Sequence, residues 1–315
     1  MNARRVGLLV GVVWSLVAIA AQADDGVTLR YKRAKGDRTF STEKTLTKQT
    51  QNVMGMTFDT SVDMEAITSS TVDDIDDKGN FHLSERTERI KVKADLGPGG
   101  KFEFDSTSSE RDKSSEIGAA LTPVFERMSG AVIQVVMTPQ GEVKEVKGFT
   151  DLFRDLIEKN PLVAQFTGGG TDEAAKLAAQ ERLTKFDKPL KIGESWESPI
   201  NAELPNIGKI AGKKVYRYVG PEKVGDRSAA KIELTGDLSV DVNIDQGGAK
   251  VTGTFRSTSY TGTILFDVDA GQILSQESTQ VMGGDLNVSA GGMNIPVRQE
   301  QTVKGTMKRL EKLPD

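Results

Sequence analysis

The stretch KIELTGDLSVDVNI, residues 231–244, constrains the fold more than any other. Ile232, Leu234, Gly236, Leu238, Val240, Val242 and Ile244 take the even positions, and Lys231, Glu233, Thr235, Asp237, Ser239, Asp241 and Asn243 take the odd ones. Successive side chains of an extended chain point to opposite faces, so this is a strand with one apolar and one wet face. Burial on one side only is the habit of antiparallel sheets. An ordinary strand has about 5–6 residues, so a strand this long predicts a large curved sheet or a barrel. A second alternation, VMGMTFDTSVDMEAI over 53–67, puts Met54, Met56, Phe58, Val62 and Met64 on one face. Methionine is unbranched and polarisable, suiting both irregular core space and surfaces that accept varied apolar partners. That face is expected to be buried. It either packs the core of a half-buried sheet or lines an apolar ligand cavity.

Turn residues punctuate the flanks of the chain. Asp77-Lys78-Gly79-Asn80, Gly97-Pro98-Gly99-Gly100, Pro139-Gln140-Gly141, Asp245-Gln246-Gly247-Gly248 and Asp269-Ala270-Gly271 each separate strand-like runs. Such residues tolerate positive φ or pre-set a turn, as hairpins need. The middle reads as helix. TDLFRDLIEKNP (150–161) has Thr150 as N-cap, an apolar face and an Asn160-Pro161 stop, and TDEAAKLAAQERLTKF (171–186) has Thr171 as N-cap. Ser114 to Met128 is a third candidate, interrupted near Pro123. The two flanks resemble each other. Lys35-Gly36-Asp37 and Lys191-Ile192-Gly193-Glu194 each precede a long strand-like run, and VVMTPQGEVKEVKG (135–148) parallels ILFDVDAGQILSQES (264–278). The predicted fold is mainly β with a helical minority. It comprises two antiparallel meander or open-barrel-like halves, 24–148 and 187–315, joined by a central helical segment, 149–186.

Residues 1–23 read as a cleaved signal peptide. Arg4 and Arg5 precede an apolar run from Val6 to Ile19, and Ala21-Gln22-Ala23 supplies the small residues of a cleavage site. The run falls short of the roughly 20 residues that span a bilayer. An extracytoplasmic location, periplasmic or secreted, is expected, and the mature chain should not be an integral membrane protein. Cysteine is absent, so the fold relies on neither disulfides nor a lipid anchor at the cleavage site. The formal charge is −4 with the signs interspersed, which argues against nucleic acid as a partner.

Several of these stretches together are similar to one exported bacterial family. They are Leu29-Arg30-Tyr31-Lys32 with Lys35-Gly36-Asp37, the methionine-bearing strand, the VVMTPQGEVKEVKGF hairpin, and KIGESWES followed later by GTILFDVDAGQILSQES. The family is the domain-of-unknown-function family numbered 6263. The resemblance covers most of the mature chain. It implies an extracytoplasmic β protein and supplies no catalytic residue.

Chemistry finds little purchase. His82 is the only histidine; it lacks a Gly-x-Ser-x-Gly partner motif, and its alternating context reads as a solvent-facing strand position. Zinc usually takes several His or Cys ligands. Counted from Asp74, the acidic run offers Asp76, Gly79 and Glu85 at positions three, six and twelve of a calcium loop, but Lys78 sits at a ligand position and the flanks read as strands. Gly168-Gly169-Gly170 lacks the Lys-Ser/Thr of a phosphate loop and reads as a linker. No carboxylate pair is singled out for glycoside chemistry. No catalytic residue, metal or cofactor is assigned. The expected function is a non-enzymatic binding protein for a lipid or other apolar small molecule, or for an envelope component. The candidate lining is Met54, Met56, Phe58, Val62 and Met64. A packed structural or interaction protein of the envelope is the alternative, and an extracytoplasmic hydrolase is the third.

Overall fold

The computed structural model describes residues 26–314, apart from 113–114, 160–162, 164–166, 168, 205–207 and 247–248. The expected signal peptide, Asn160-Pro161, Ser114, Gly168 and Gly247-Gly248 lie outside the described residues. The first half contributes β1 (Arg38–Val53), β2 (Met56–Ile75), β3 (Phe81–Asp95), β4 (Lys101–Asp105), β5 (Val132–Met137) and β6 (Val143–Lys147), with α1 (Glu116–Met128) between β4 and β5. Helices α2 (Phe149–Lys159) and α3 (Asp172–Arg182) follow. The second half is the meander β7 (Ser195–Leu204), β8 (Gly208–Val224), β9 (Arg227–Gln246), β10 (Ala249–Asp267), β11 (Gln272–Ala290) and β12 (Met293–Leu310).

The halves meet in a single antiparallel sheet of twelve strands. Its order is β6-β5-β3-β2-β1-β12-β11-β10-β9-β8-β7, with β4 paired to β3. The seam is the β1–β12 ladder, in register from Phe40 opposite Leu310 to Val53 opposite Val297. The sheet is open, because β6 and β7 stand at its two ends. It is also curled. One buried cluster unites Leu83, Val135, Met137 and Val146 from one end of the strand order with Tyr216, Ile232, Ile264 and Phe266 from the other. Strands so far apart in the sheet share a core only if the sheet wraps round it. The even face of β9, apolar in the sequence, is that inner face.

Two pieces fill the curl: the segment before β1 and the segment from α3 to β7. Tyr31 stacks edge-on against Phe266 with centroids 5.4 Å apart, Phe186 lies 5.0 Å from Phe266, and Trp196 stacks on Tyr216 at 5.3 Å. The Trp196 Nε1–H donates to the Lys185 carbonyl at 2.9 Å. The Tyr31 hydroxyl accepts the Thr184 N–H at 3.1 Å. Burial raises both the Tyr31 and Tyr216 phenols above their ordinary value, Tyr216 to about 12. A second cluster forms where Leu121 and Phe125 of α1 cover Ile90, Val92, Phe102 and Phe104. The sequence suggested an interruption at Pro123. The helix instead runs through it, because Val124 and Phe125 must stay on the buried side. Thr171 caps α3 as expected, accepting the Ala174 N–H at 3.2 Å. Thr150 does not cap its own helix, which already starts at Phe149. It exchanges two hydrogen bonds of 2.9 Å with Asp172 and so ties α2 to the start of α3.

The likeness between the two flanks has a backbone counterpart. Gly36 N–H donates to Val72 O and Val72 N–H to Asp37 O, both at 2.9 Å. Gly193 N–H donates to Tyr218 O at 2.7 Å and Tyr218 N–H to Glu194 O at 2.9 Å. In each case the acid also accepts a backbone N–H three residues upstream: Ala34 for Asp37, at 2.7 Å, and Lys191 for Glu194, at 2.9 Å. The two similar hairpins converge on adjacent residues. Tyr31 N–H donates to Pro139 O at 2.8 Å, and Lys32 N–H to Gly271 O at 3.1 Å.

Gly141 shows how tight that convergence is. Its φ is +88°, and a Cβ there would lie 2.4 Å from Thr184 O and 2.5 Å from Tyr31 Cε2. Gly36 has a similar φ of +86° with open space around it. Gly36→Ala should therefore cost only the left-handed strain, roughly 1–2 kcal/mol. Gly141→Ala should add overpacking of about 1–3 kcal/mol more. Urea melts of the two variants check this, and equal losses would contradict the packing described.

Candidate functional site

The inner face is not apolar throughout. On β1 it carries Glu43, Thr45, Thr47, Gln49 and Gln51; the register sets Gln49 opposite Gln301 and Gln51 opposite Gln299 of β12. Gln51 Nε2 donates to Gln299 Oε1 at 3.2 Å. Inner-face positions of β11 add Gln276, Ser278 and Gln280. The middle strands thus make a polar floor. Apolar walls rise on either side, from β2–β3 with α1 and from β8–β10.

Over this floor the end of α3 grips three parts of the sheet with three consecutive residues. Gln180 Oε1 accepts the Val143 N–H at 2.9 Å, and its Nε2 donates to Gly141 O at 3.0 Å. Glu181 pairs with Lys214 of β8, whose side chain is only 3% exposed. The Lys214 ammonium also lies 5.5 Å from the centroid of the Tyr260 ring. Burial works to lower the lysine, but the Glu181 carboxylate together with the Tyr216 and Tyr260 phenols outweighs it and holds Lys214 above its ordinary value. Arg182 reaches the other way, to Glu43 of β1 at 3.3 Å and Glu85 of β3 at 3.1 Å. Those two carboxylates, Glu43 first, raise its guanidinium against the opposing effect of burial.

Arg182 stands where three cavities meet. They measure about 120, 210 and 150 Å³, and the walls of each include it. The first also has Arg33, Ser70, Glu43, Glu85 and Arg309 in its walls, among Leu83, Val135 and Ile273. The second runs along the floor past Tyr260, Gln280 and Val303 and shares Glu43 and Met307 with the first. The third lies under α2 beside Phe149 and Phe153. Burial lowers Arg33 from its ordinary value and Arg309 adds to the effect; Arg309 is lowered by burial and then by Arg227.

The methionine face is divided by the structure. Val62 and Met64 are half-buried against the α1 cluster, and Phe58 is half-buried further along β2. Burial fails at Met54 and Met56, which are 74% and 58% exposed. Met54 is not on the strand. It and Gly55 form the β1–β2 turn with φ of 52° and 82°, the pair of positive values that a two-residue type I′ hairpin needs. Alternation continues past the place where α1 stops covering the sheet, so the pattern reports a face without reporting its cover. None of the five residues lines the three cavities. Sequence reasoning missed Glu43, Glu85 and Arg182. The available signal was β1 itself: RTFSTEKTLTKQTQNV has hardly an apolar residue on either face yet sits mid-sheet.

The acidic turn is satisfied by its own backbone. Asp76 Oδ1 accepts the N–H groups of Lys78 and Asn80 at 2.9 and 2.8 Å, and its Oδ2 accepts Asn80 Nδ2 at 2.8 Å. His82 Nε2 lies 3.6 Å from Asp76 Oδ2 at the same partly exposed turn, and the histidine lines none of the three cavities. Among the described residues no group of three or more His, Cys, Asp or Glu side chains is placed to hold a metal ion, and no helix is long and apolar enough to cross a membrane.

The profile of a family of unknown function, DUF6263, matches residues 78–273. The chain belongs to this family. No match is found among curated proteins. Among solved structures, this DUF6263 member is similar to lipovitellin, in a structure described as showing lipid–protein interactions, at 9% identity and a TM-score of 0.37. The match covers 90% of this chain but 26% of lipovitellin, so the chain spans about a quarter of that relative. It is also similar to the COG4313 outer membrane channel of Pseudomonas putida F1 (7% identity, 89% and 97% covered, TM-score 0.24) and to DynF of Micromonospora chersina (7%, 91% and 89%, TM-score 0.20). All three scores lie below 0.5, too low to indicate a common fold.

Removing the Arg182 charge would leave two carboxylates facing each other across the first cavity. Breaking a fully buried pair costs about 3–5 kcal/mol. The Arg182 side chain keeps 36% of its surface exposed, and screening lowers the expected loss for Arg182→Met to roughly 2–3 kcal/mol. The triple variant Glu43→Gln, Glu85→Gln, Arg182→Met should recover most of that loss. Denaturant midpoints measure both, and a single variant as stable as wild type would contradict the role given to Arg182.

Proposed function

We propose that this chain is a non-catalytic, exported binding protein that holds an apolar or amphiphilic small molecule on the inner face of its sheet. The observation that carries the reading is the set of three cavities meeting at Arg182, of which the first and the one under α2 set apolar side chains beside fixed polar groups. Small-molecule sites join apolar walls to placed polar groups in this way. The open sheet gives a ligand a way in, and α3 gives it a ceiling. Export rests on the signal-like residues 1–23. The absence of catalysis is supported by the position of His82, which stands apart from the cavities, and by the engagement of Glu43 and Glu85 with Arg182. The polar floor of Gln49, Gln51, Gln299 and Gln301 favours a second reading, an envelope protein whose trough holds only water.

Native mass spectrometry of protein purified from its own host, before and after organic extraction, separates the two. The binding reading predicts a small-molecule mass that extraction removes. It also predicts that Met307→Trp, which fills the wall shared by the first two cavities, strongly reduces that retained mass while the protein stays folded. Identical masses before and after extraction, together with no uptake of a fluorescent fatty acid, would contradict it.

A further inference from the structure

The smallest cavity has donors the fold leaves unanswered. Three arginines, Arg33, Arg182 and Arg309, line it against two glutamates, Glu43 and Glu85. Both glutamates pair with Arg182, and Glu85 attracts Arg33 from beyond ion-pair distance. Among the described residues neither Arg33 nor Arg309 has a carboxylate within ion-pair distance. Asp37 attracts both from the turn before β1, but its Oδ2 already accepts the Ala34 N–H at 2.7 Å. Asp267 attracts Arg309, but it sits 4.0 Å from Arg227 and its Oδ1 accepts two N–H groups of its own turn. The Arg33 Nε–H and the Ser70 hydroxyl are buried with no hydrogen-bond partner. Buried donors in native proteins nearly always find an acceptor. Two unanswered donors and an excess of arginine over glutamate in the walls of one cavity define the chemistry that would complete it. Water can satisfy the donors but cannot offset the excess.

We propose that this cavity is the head-group pocket of an anionic amphiphile, bearing a carboxylate or a phosphate monoester on an apolar chain. The proposal rests on the binding reading above and deepens it. The head meets Arg33, Arg309 and Ser70. At about 120 Å³ the space has room for several waters, and so for a head group and the start of its chain. The chain leaves toward the cavity of about 150 Å³ under α2, which shares Thr68, Glu85 and Arg182 with the first and whose walls include Met128, Ile133, Phe149 and Phe153. A cationic head would meet three guanidinium groups, and a neutral one would leave their excess over the glutamates unmatched.

Isothermal titration of the delipidated full chain with dodecanoate, dodecyl phosphate, dodecanol and dodecylammonium tests this. A charge-assisted contact predicts that one or both anions bind about tenfold more tightly than dodecanol, with dodecylammonium weakest. Which anion wins separates carboxylate from phosphate. Arg309→Gln should abolish the advantage by weakening the anion far more than dodecanol, and Arg309→Lys should restore part of it. The comparison of head groups on the unmodified protein needs no variant to fold. Equal affinities for dodecanoate, dodecyl phosphate and dodecanol, or an Arg309→Gln protein that still prefers the anion, would overturn the head-group assignment while leaving the binding reading intact. Failure of every amphiphile to bind would overturn both.

Discussion

Seven consecutive residues, 180–186, hold the curl of the sheet. Gln180 hydrogen-bonds the hairpin between β5 and β6, Glu181 pairs with Lys214 on β8, and Arg182 pairs with Glu43 on β1 and Glu85 on β3. Thr184 donates to the Tyr31 hydroxyl, and Phe186 N–H donates to Gln140 O at 2.8 Å while its ring packs on Phe266. An open sheet of twelve strands has no closing ladder to fix its curvature. Here the curvature is set by side chains that reach its two sides from one short segment. The ion pairs do this at some expense in desolvation, and replacing such groups by apolar ones is often neutral or better for stability. What they give is position: a charged residue on a helix end has few places to go inside a half-closed sheet.

The N-terminal segment completes the arrangement. By pairing Tyr31 with Pro139 and Lys32 with Gly271, it bridges two hairpins that belong to opposite halves of the chain. Those hairpins are alike in sequence, and the turns before β1 and β7 share a hydrogen-bond pattern, so the bridge lies between equivalent parts. The region it closes is mainly apolar and aromatic. Beyond α3 the inner face changes to glutamine, threonine and serine, and the cavities begin. The boundary between packed core and open trough therefore runs through Arg182.

The strands were legible because their pattern is local. Alternation over 231–244 and 53–67, and the glycine-bearing turns, depend only on neighbouring residues. Helices α2 and α3 were visible for the same reason. Three things were not. The joining of both halves through β1 and β12 depends on a pairing between residues more than two hundred positions apart, which neither strand announces. The exposure of Met54 depends on its place in the β1–β2 turn, and that of Met56 on where α1 ends over the sheet. The site itself depends on Glu43, Glu85 and Arg182 coming together from two strands and a helix, each looking in isolation like an ordinary surface residue. The mostly polar β1 was the one local sign that the middle of the sheet differs from its ends.

Hydrogen–deuterium exchange of the wild type and of Arg182→Met tests most directly whether this segment sets the curl. Amides of α3, of residues 27–33 and of the turns at 138–141 and 267–271 should lose protection together in the variant, while the central β1–β12 ladder keeps its own. Loss confined to the last turn of α3, with both hairpins protected as before, would contradict the account.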